Sequence, residues 1–440
     1  MEVQDRYRSW SRPSARTTQA VVHLRCRDEA LPPPDKNGSF LPFGNGRSYG
    51  DSCANGGGTL IDTRGLDRLI AFDAESGVLR CEGGVLLSEI LRLFVPKGWF
   101  LPVTPGTSHV TVGGAIANDV HGKNHHRAGS FGHHVRSFEL LRSDGTRLLC
   151  SPSTNADWFA ATVGGLGLTG LIVWADVVLK PIKSPAVAVE TIRFDGIDEF
   201  LELSRASHNS HEYTVAWIDA VRSRRGGARG LFFRGNHSLS TERRVRPPTR
   251  LPGLPFTPPF SLVPKAAVGL FNSAIYRRPR PRHEVVHFQP FFYPLDAVSH
   301  WNRLYGRRGF FQYQCVLPFS GSADTVGELI GRVAHVRQAS FLSVLKVFGD
   351  HPPIGWMSFA RPGITVALDI PDRGPSTLDL LQSLDEVTRQ AGGAVYPAKD
   401  ARMSRPTFVQ GFPQWQRLER YRDPAFMSDF WRRVTELGHG

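Results

Sequence analysis

Residues 105–135, PGTSHVTVGGAIANDVHGKNHHRAGSFGHHV, constrain this chain more than any other stretch. Glycines, small residues and imidazoles surround one lysine, Lys123, and the second half carries almost no bulky apolar side chain. Such a composition does not make ordinary core. Its glycines let the backbone approach a ligand closely, and its imidazoles and ammonium suit a polar or anionic one. A second glycine-rich loop precedes it at 44–58 (GNGRSYGDSCANGGG), and a third follows at 163–170 (VGGLGLTG). Each alone also reads as a tight turn. Three between short β-like runs point to a large phosphorylated cofactor lying across the first half of the chain.

The spacing of apolar residues gives a coarse map. TLIDT, LIAFD, GVLRCEGG and LIVWADVVLKPI read as strands, and VLLSEILRLFVPKG as an amphipathic helix closed by Gly98. SFELLRSDGTRLLCSP reads as a hairpin turning at Asp144-Gly145. A candidate boundary falls at 181–185, after which FFQYQCVLPF and ITVALDIP read as longer strands. Residues 222–282, rich in Arg and Pro with apolar islands, show no period. The run Gly165-Leu-Gly167-Leu-Thr-Gly170 formally matches a dinucleotide fingerprint, which requires a helix after it. Here it opens into an alternating β-branched run, which disfavours a Rossmann dehydrogenase. Backbone amides still cradle a pyrophosphate without a helix, with Arg47, Ser48 and Thr107 as added donors.

A formal charge of +13 favours an anionic partner: nucleic acid, a phosphorylated substrate or an acidic membrane surface. It also fits an Arg-rich protein with no such partner. Nucleic acid is disfavoured because the arginines join no recognisable binding motif and the Gly/His loops would have no role. Five cysteines without a CxxC pair fit reduced thiols. No apolar run nears the length of a spanning helix and no leader is evident at the N-terminus, so a cytoplasmic location, peripheral on a membrane, is expected.

GRSYGDSCANGGG, HVTVGGAIANDVHGKNHHRAGSFGHHVRS, TVGGLGLTG, FFQYQCVLP, LKVFG and YPAKDAR together resemble the decaprenylphosphoryl-β-D-ribose 2′-oxidase family, within the vanillyl-alcohol-oxidase-like flavoproteins. The resemblance runs from about residue 35 to the C-terminus. It implies an α+β fold: a two-part FAD-binding domain of the PCMH type, with a substrate domain on an antiparallel sheet inserted. The expected divisions are 1–185, 186–393 (with the basic, apolar insertion 222–282) and 394–440.

The resemblance places FAD on Gly46, Arg47, Ser48, Tyr49, Gly50, Asn55, Gly56 and Gly57 of the first loop. In the second it implies Pro105, Gly106, Thr107, Val110, Thr111, Gly113, Gly114, Asn118, His121, Gly122, Lys123, Asn124, Ala128 and Gly129. In the third it implies Gly165, Gly167, Gly170 and Ile172, with Tyr396 from the tail. Some flavoproteins of this superfamily tether FAD through a histidine in the first loop. Arg47-Ser48-Tyr49 offers none, so FAD is expected to be non-covalent.

Catalytic roles fall on Lys399, whose charge would stabilise reduced flavin or a developing alkoxide, on His121 as orienter or base, and on Tyr49 as a donor. Substrate would meet Lys123, Trp217, Gln312, Gln314, Lys346, Phe348, Thr365, Ala367 and Lys399. Plainer readings stand beside these: a surface lysine, a histidine fixing its own loop, packed tyrosines, a solvent-facing polar strand. Thr365 and Ala367 depart from the asparagine and cysteine of many members, which changes the pocket wall without removing a group the chemistry needs.

The implied reaction oxidises the 2-hydroxyl of a polyprenyl-phosphoryl-β-D-ribose to a ketone. A separate NAD(P)H-dependent short-chain reductase then completes epimerisation to an arabinose donor. A soluble sugar or aldonolactone is the alternative substrate. The 222–282 insertion suits either a membrane-touching lid or a disordered loop over the pocket.

Overall fold

Alternating apolar residues and glycine turns build the first half much as the sequence spacing predicts. In the structure, a computed structural model, residues 6–11, 20–32, 38–224, 227–240, 245–249, 251–278, 282–336 and 342–435 are described. Ala20–His23, Thr59–Asp62 and Phe40–Phe43 form a parallel three-stranded sheet with Thr59–Asp62 in the middle. An antiparallel sheet follows in the order Leu69–Asp73, Val78–Glu82, Leu171–Val178, Val135–Leu141, Arg147–Cys150. Helix Leu87–Phe94 packs an apolar face into its core and runs into a 3₁₀ turn that ends at Gly98. Gly98 takes φ +81°, a left-handed conformation that costs glycine little. Gly145 does the same at the 141–147 turn with φ +84°.

The second sheet has eight strands, all paired antiparallel: His283–His287, Ala186–Asp195, Gly227–His237, Tyr213–Arg224, Ser343–Phe348, Gly363–Pro371, Phe310–Leu317 and Ala394–Val395. Strand alternation divides its two faces. Ile218, Tyr313, Cys315, Leu345, Val366, Leu368 and Ile370 join a buried core. Helices Ile197–Ser207, Ser322–Val336 and Pro375–Gln390 pack apolar residues into that core, as do the segments of the C-terminal tail. Their sequence neighbours Trp217, Gln312, Gln314, Lys346, Ala367 and Asp369 point the other way, into a cavity.

The stretch 222–282, without period in the sequence, holds two long regular elements among its described residues. It contains the Gly227–His237 strand, deep within the sheet, and a helix, Lys265–Arg277. The arginines that obscure the pattern are paired across strands: Arg229 donates to Asp219 at 2.9 Å and Arg234 to Glu190 at 2.8 Å. Those partners lie on neighbouring strands, ten and forty-four residues away, so local reading sees only charge.

After the last strand the chain returns to the N-terminal loops. Tyr49 N donates to Ala398 O at 2.9 Å, Asp429 N to Ala54 O at 2.8 Å and Met427 N to Phe40 O at 2.9 Å. Arg433 bridges Asp51 and Asp400 at 2.8 and 3.0 Å.

Candidate active site

One cavity of about 890 Å³ lies between the glycine-rich loops and the open face of the eight-stranded sheet. That is near the upper end for ligand sites. All three loops reach it: the first through 44–49, the second through 104–114 and 117–123, the third through Gly167, Gly170 and Ile172. Two backbone stretches are left open to a ligand. The amides of Gly46, Arg47, Ser48, Gly106 and Thr107 find no acceptor among the described residues. A Cβ on Gly106 would meet nothing within 4 Å. Arg47 adds a guanidinium over the Trp10 ring at 4.1 Å, with its Nε buried and unpartnered. Unsatisfied donors of this kind are what a pyrophosphate accepts from. Gly113 and Gly114 line the cavity differently, because their amides are already bound to Gly83 O at 2.8 Å and to Thr111 Oγ1 at 3.1 Å.

The cavity's other end is polar and cationic. Gln312 and Gln314, two apart on one strand, lie opposite Asp369 and Ala367 in the ladder. Gln312 Nε2 donates to Asp369 Oδ1 at 2.5 Å. The Gln314 amide lies 3.0 Å from His121 Nε2 and donates to Thr365 Oγ1 at 3.2 Å. Lys399, at the end of the 3₁₀ turn Pro397–Lys399, holds its Nζ 3.6 Å above the centre of the Tyr49 ring. Lys346 Nζ donates to Gly122 O at 3.3 Å, and Lys123 Nζ to Phe291 O.

Burial pushes all three ammonium groups down to about 7, with Lys346 further lowering both Lys123 and Lys399. Burial drives His121 well below its ordinary value, reinforced by Lys346, His125 and Lys399, so the imidazole is neutral. Burial likewise raises Asp369 to about 7, against the pull of Gln312 and Lys399. Perturbed groups of both signs gathered in one cleft mark a chemical site. Tyr396 is fixed at its edge, stacked on Phe359 at 4.4 Å and donating to Asn118 O at 3.0 Å.

Several expected residues lie elsewhere. Gly50 backs onto the tail, where a Cβ would fall 1.5 Å from Asp400 O. Asn55 and Gly56 are bonded to Arg432 and Asp429 of the tail, and Gly57 forms the turn beside them with φ +79°. Asn124 donates to Pro102 O at 2.8 Å. Ala128 and Gly129 close the short helix His125–Ala128, with the Ala128 carbonyl accepting from His134 and Gly129 pressed on the His133 ring. Gly165 packs against Ala161 O. Phe348 and Thr365 stand one layer behind the wall, supporting His121 and Gln314. The remaining candidates, Trp217 and Val110 among them, border the cavity.

Among the lining residues that sequence reasoning missed, three matter most. Asp369 sits on the strand inspected only for Thr365 and Ala367, and its two-residue spacing from them was the available signal. Asp296 accepts from Thr107 Oγ1 at 2.7 Å and from Ser108 N and Oγ at 2.8 and 2.9 Å. It ties the second loop to the 294–301 wall. Trp10 precedes the span of the resemblance, and no local pattern marks it.

An FAD binding domain family matches residues 33–151, which include the first two loops. The chain is 36% identical to the decaprenylphosphoryl-β-D-ribose oxidase of Mycolicibacterium smegmatis over 412 residues, 90% of this chain and 88% of that one. Shorter likenesses reach the L-gulonolactone oxidase of Mus musculus (34% over 149 residues, 33% of each chain) and the human Delta(24)-sterol reductase (32% over 115 residues, 26% of this chain and 22% of that one). These two cover only part of the chain. The likeness to the Mycolicibacterium oxidase covers nine-tenths of the chain.

Proposed function

Since the chain belongs to the decaprenylphosphoryl-β-D-ribose oxidase family and is an FAD-dependent oxidoreductase, we propose that it oxidises the 2-hydroxyl of a polyprenyl-phosphoryl-β-D-ribose to the 2-keto sugar. The observation that carries the reading is the convergence on one end of the cavity of Gln312, Gln314 and Lys346 from the sheet, Lys123 from the second loop and Lys399 from the tail. Sugar hydroxyls suit the amides, and a phosphodiester suits the ammonium groups. The open amides of 46–48 and 106–107 would hold the pyrophosphate of FAD, which when bound would supply the acceptor for the hydride lost from carbon. Arg47-Ser48-Tyr49 gives it no histidine to bond, which supports a non-covalent site.

The chain's own groups position and polarise. Lys399, stacked on Tyr49, presents positive charge where negative charge develops, and the low-dielectric wall strengthens it. Gln312 and Gln314 fix the ring through hydrogen bonds that are themselves held by Asp369 and Thr365. Trp217 gives an apolar side on which a sugar face rests. Ala367 leaves that wall without a thiol, so an inhibitor that relies on a cysteine there has nothing to attack.

An exposed apolar surface beside one cavity wall suits the lipid part. Leu251 N donates to Ala297 O at 2.7 Å and Leu262 N to Leu304 O at 2.8 Å, which joins an apolar surface to the 294–301 cavity wall. On that surface Leu251, Phe256, Phe260 and Leu270 are each more than half exposed, with Arg277, Arg278 and Arg282 close by in sequence. Apolar side chains with arginines suit an acidic bilayer. Among the described residues no helix is long and apolar enough to cross a membrane. The exposed apolar and basic surface suits a peripheral contact, and the five free thiols favour the cytoplasmic face. The keto sugar then needs a reductant. The GLGLTG loop opens into the Leu171–Val178 strand rather than a helix, so a separate NAD(P)H-dependent short-chain reductase is the fitting partner. Nucleic acid has no place in this scheme.

The test is anaerobic addition of prenyl-phosphoryl-ribose to the holoenzyme. Bleaching of the yellow flavin band supports the reading. A flavin that stays yellow with the lipid sugar yet bleaches with a soluble lactone overturns it.

A further inference from the structure

The alternation that sends Ala367 into the cavity also sends Asp369 there, beside Gln312 and facing Lys399. Its two oxygens are in different states. Oδ1 accepts from Gln312, whereas Oδ2 is buried with no hydrogen-bond partner. A desolvated, unpaired carboxylate oxygen on a cavity wall calls for an external donor. We propose that Asp369 Oδ2 is the acceptor of the proton from the sugar hydroxyl that is oxidised. The assignment rests on the substrate reading above.

The other groups at this end of the cavity are committed or unsuited. His121 Nε2 is engaged by the Gln314 amide, in whichever sense that amide is turned. Although its Nδ1 is buried without a partner, burial holds the ring well below its ordinary basicity and so makes it a poor proton acceptor. Asp296 already accepts three hydrogen bonds from Thr107 and Ser108. Lys123 and Lys346 are turned to the carbonyls of Phe291 and Gly122. Burial raises the phenols of Tyr49 and Tyr396, so both stay protonated. Lys399 lies over an aromatic face, which favours the ammonium.

In the step itself the hydroxyl O–H bond breaks and its proton bonds to Oδ2. The O–H electron pair becomes the second carbon–oxygen bond as the hydride leaves C2 for the flavin. The sugar is oxidised and the flavin reduced. The resulting carboxylic acid returns its proton to water after product leaves.

Asp369 faces Lys399 and Tyr49, with Arg47 beyond Tyr49 and Lys346 beyond Lys399. Its raised value, about 7, means that the proton-accepting form grows as pH rises through neutrality. The pair it makes with Lys399 titrates jointly. Flavin reduction in the wild type should therefore show an acid limb near neutrality.

The experiment compares the wild type, Asp369→Asn and Asp369→Glu as holoenzymes in anaerobic stopped flow with prenyl-phosphoryl-ribose across that range. FAD affinity is measured alongside by fluorescence titration. Asp369→Asn should lower the reduction rate by about 10²–10⁴-fold and lose the acid limb, with FAD and substrate affinities changed only slightly. Asp369→Glu should recover part of the rate together with the limb. An Asn variant that bleaches near the wild-type rate, keeps the limb, or loses FAD as fast as it loses rate overturns the role. A wild type that the lipid sugar does not bleach removes the substrate reading and this role with it. Wild-type bleaching with an indifferent Asn variant removes this role alone.

Discussion

At the scale of single residues, the site turns on which charges survive burial. Lys399 is driven down to about 7 by desolvation and by Lys346, against the pull of Asp369. Its positive charge is thus present below pH 7 and fades above it. Replacing it by Met should lower the flavin reduction rate by about 10²–10³-fold near pH 6, the range seen when one oxyanion-stabilising donor is lost. The deficit should narrow as pH rises and the wild-type lysine itself becomes neutral. A deficit that is constant with pH, measured by stopped flow on both proteins, would place the role of Lys399 in packing. Much of this chemistry was legible. YPAKDAR, FFQYQCVLP and LKVFG carry Lys399, Gln312, Gln314 and Lys346 through the resemblance, and all four border the cavity. Asp369 was hidden because an acid near the end of an apolar strand reads locally as an edge residue. Its two-residue spacing from Ala367 was the one local sign that it faces inward, and the pairing with Gln312 fixes it there.

At the scale of elements, the site is held where three segments cross. Residues 6–11 form a strap: Trp10 N donates to Ser48 O at 2.8 Å, and Ser11 Oγ to Tyr49 O. Asn302 Nδ2 donates back to Trp10 O at 2.8 Å. Beneath it, Gly50 lies so close to the lysine-bearing turn that a Cβ would sit 1.5 Å from Asp400 O. Gly50→Ala must therefore push the 397–400 turn away. The variant should lose about 1–3 kcal/mol of stability, read as a lowered Tm, and most of its flavin reduction. An unchanged Tm would show that the turn gives way freely and that its placement is not fixed by the first loop. The strands and turns of the first half were readable because their signals are local: alternation, Gly98, Asp144-Gly145. The Gly227–His237 strand was not, because its arginines are satisfied by Asp219 and Glu190 on neighbouring strands. Asn55 and Gly56 were placed at the cofactor for a similar reason. A glycine-rich loop signals close approach without naming what approaches, and here it is the C-terminal tail.

At the scale of the whole molecule, the loops, the lysine-bearing sheet face and the exposed apolar surface beside the 294–301 wall are the features on which the proposed uptake of a lipid-linked sugar from an interface rests. The +13 charge acts at this scale. Vesicles containing acidic lipid should bind the protein, with binding weakened by salt because the attraction is screened over about 10 Å at 0.1 M. Phe256→Glu with Leu270→Glu should release it while flavin content and Tm hold. Binding that ignores both lipid charge and these substitutions would take the membrane contact elsewhere.

The central claim is that carbon 2 of the lipid-linked ribose loses its hydrogen in this cavity. The most direct measurement is anaerobic flavin bleaching with prenyl-phosphoryl-ribose carrying deuterium at C2 and, separately, at C3. The account predicts that C2 deuterium slows bleaching several-fold, that C3 deuterium leaves it unchanged, and that the 2-keto sugar accumulates. Bleaching indifferent to the C2 label with a different ketone formed, or no bleaching at all, contradicts it.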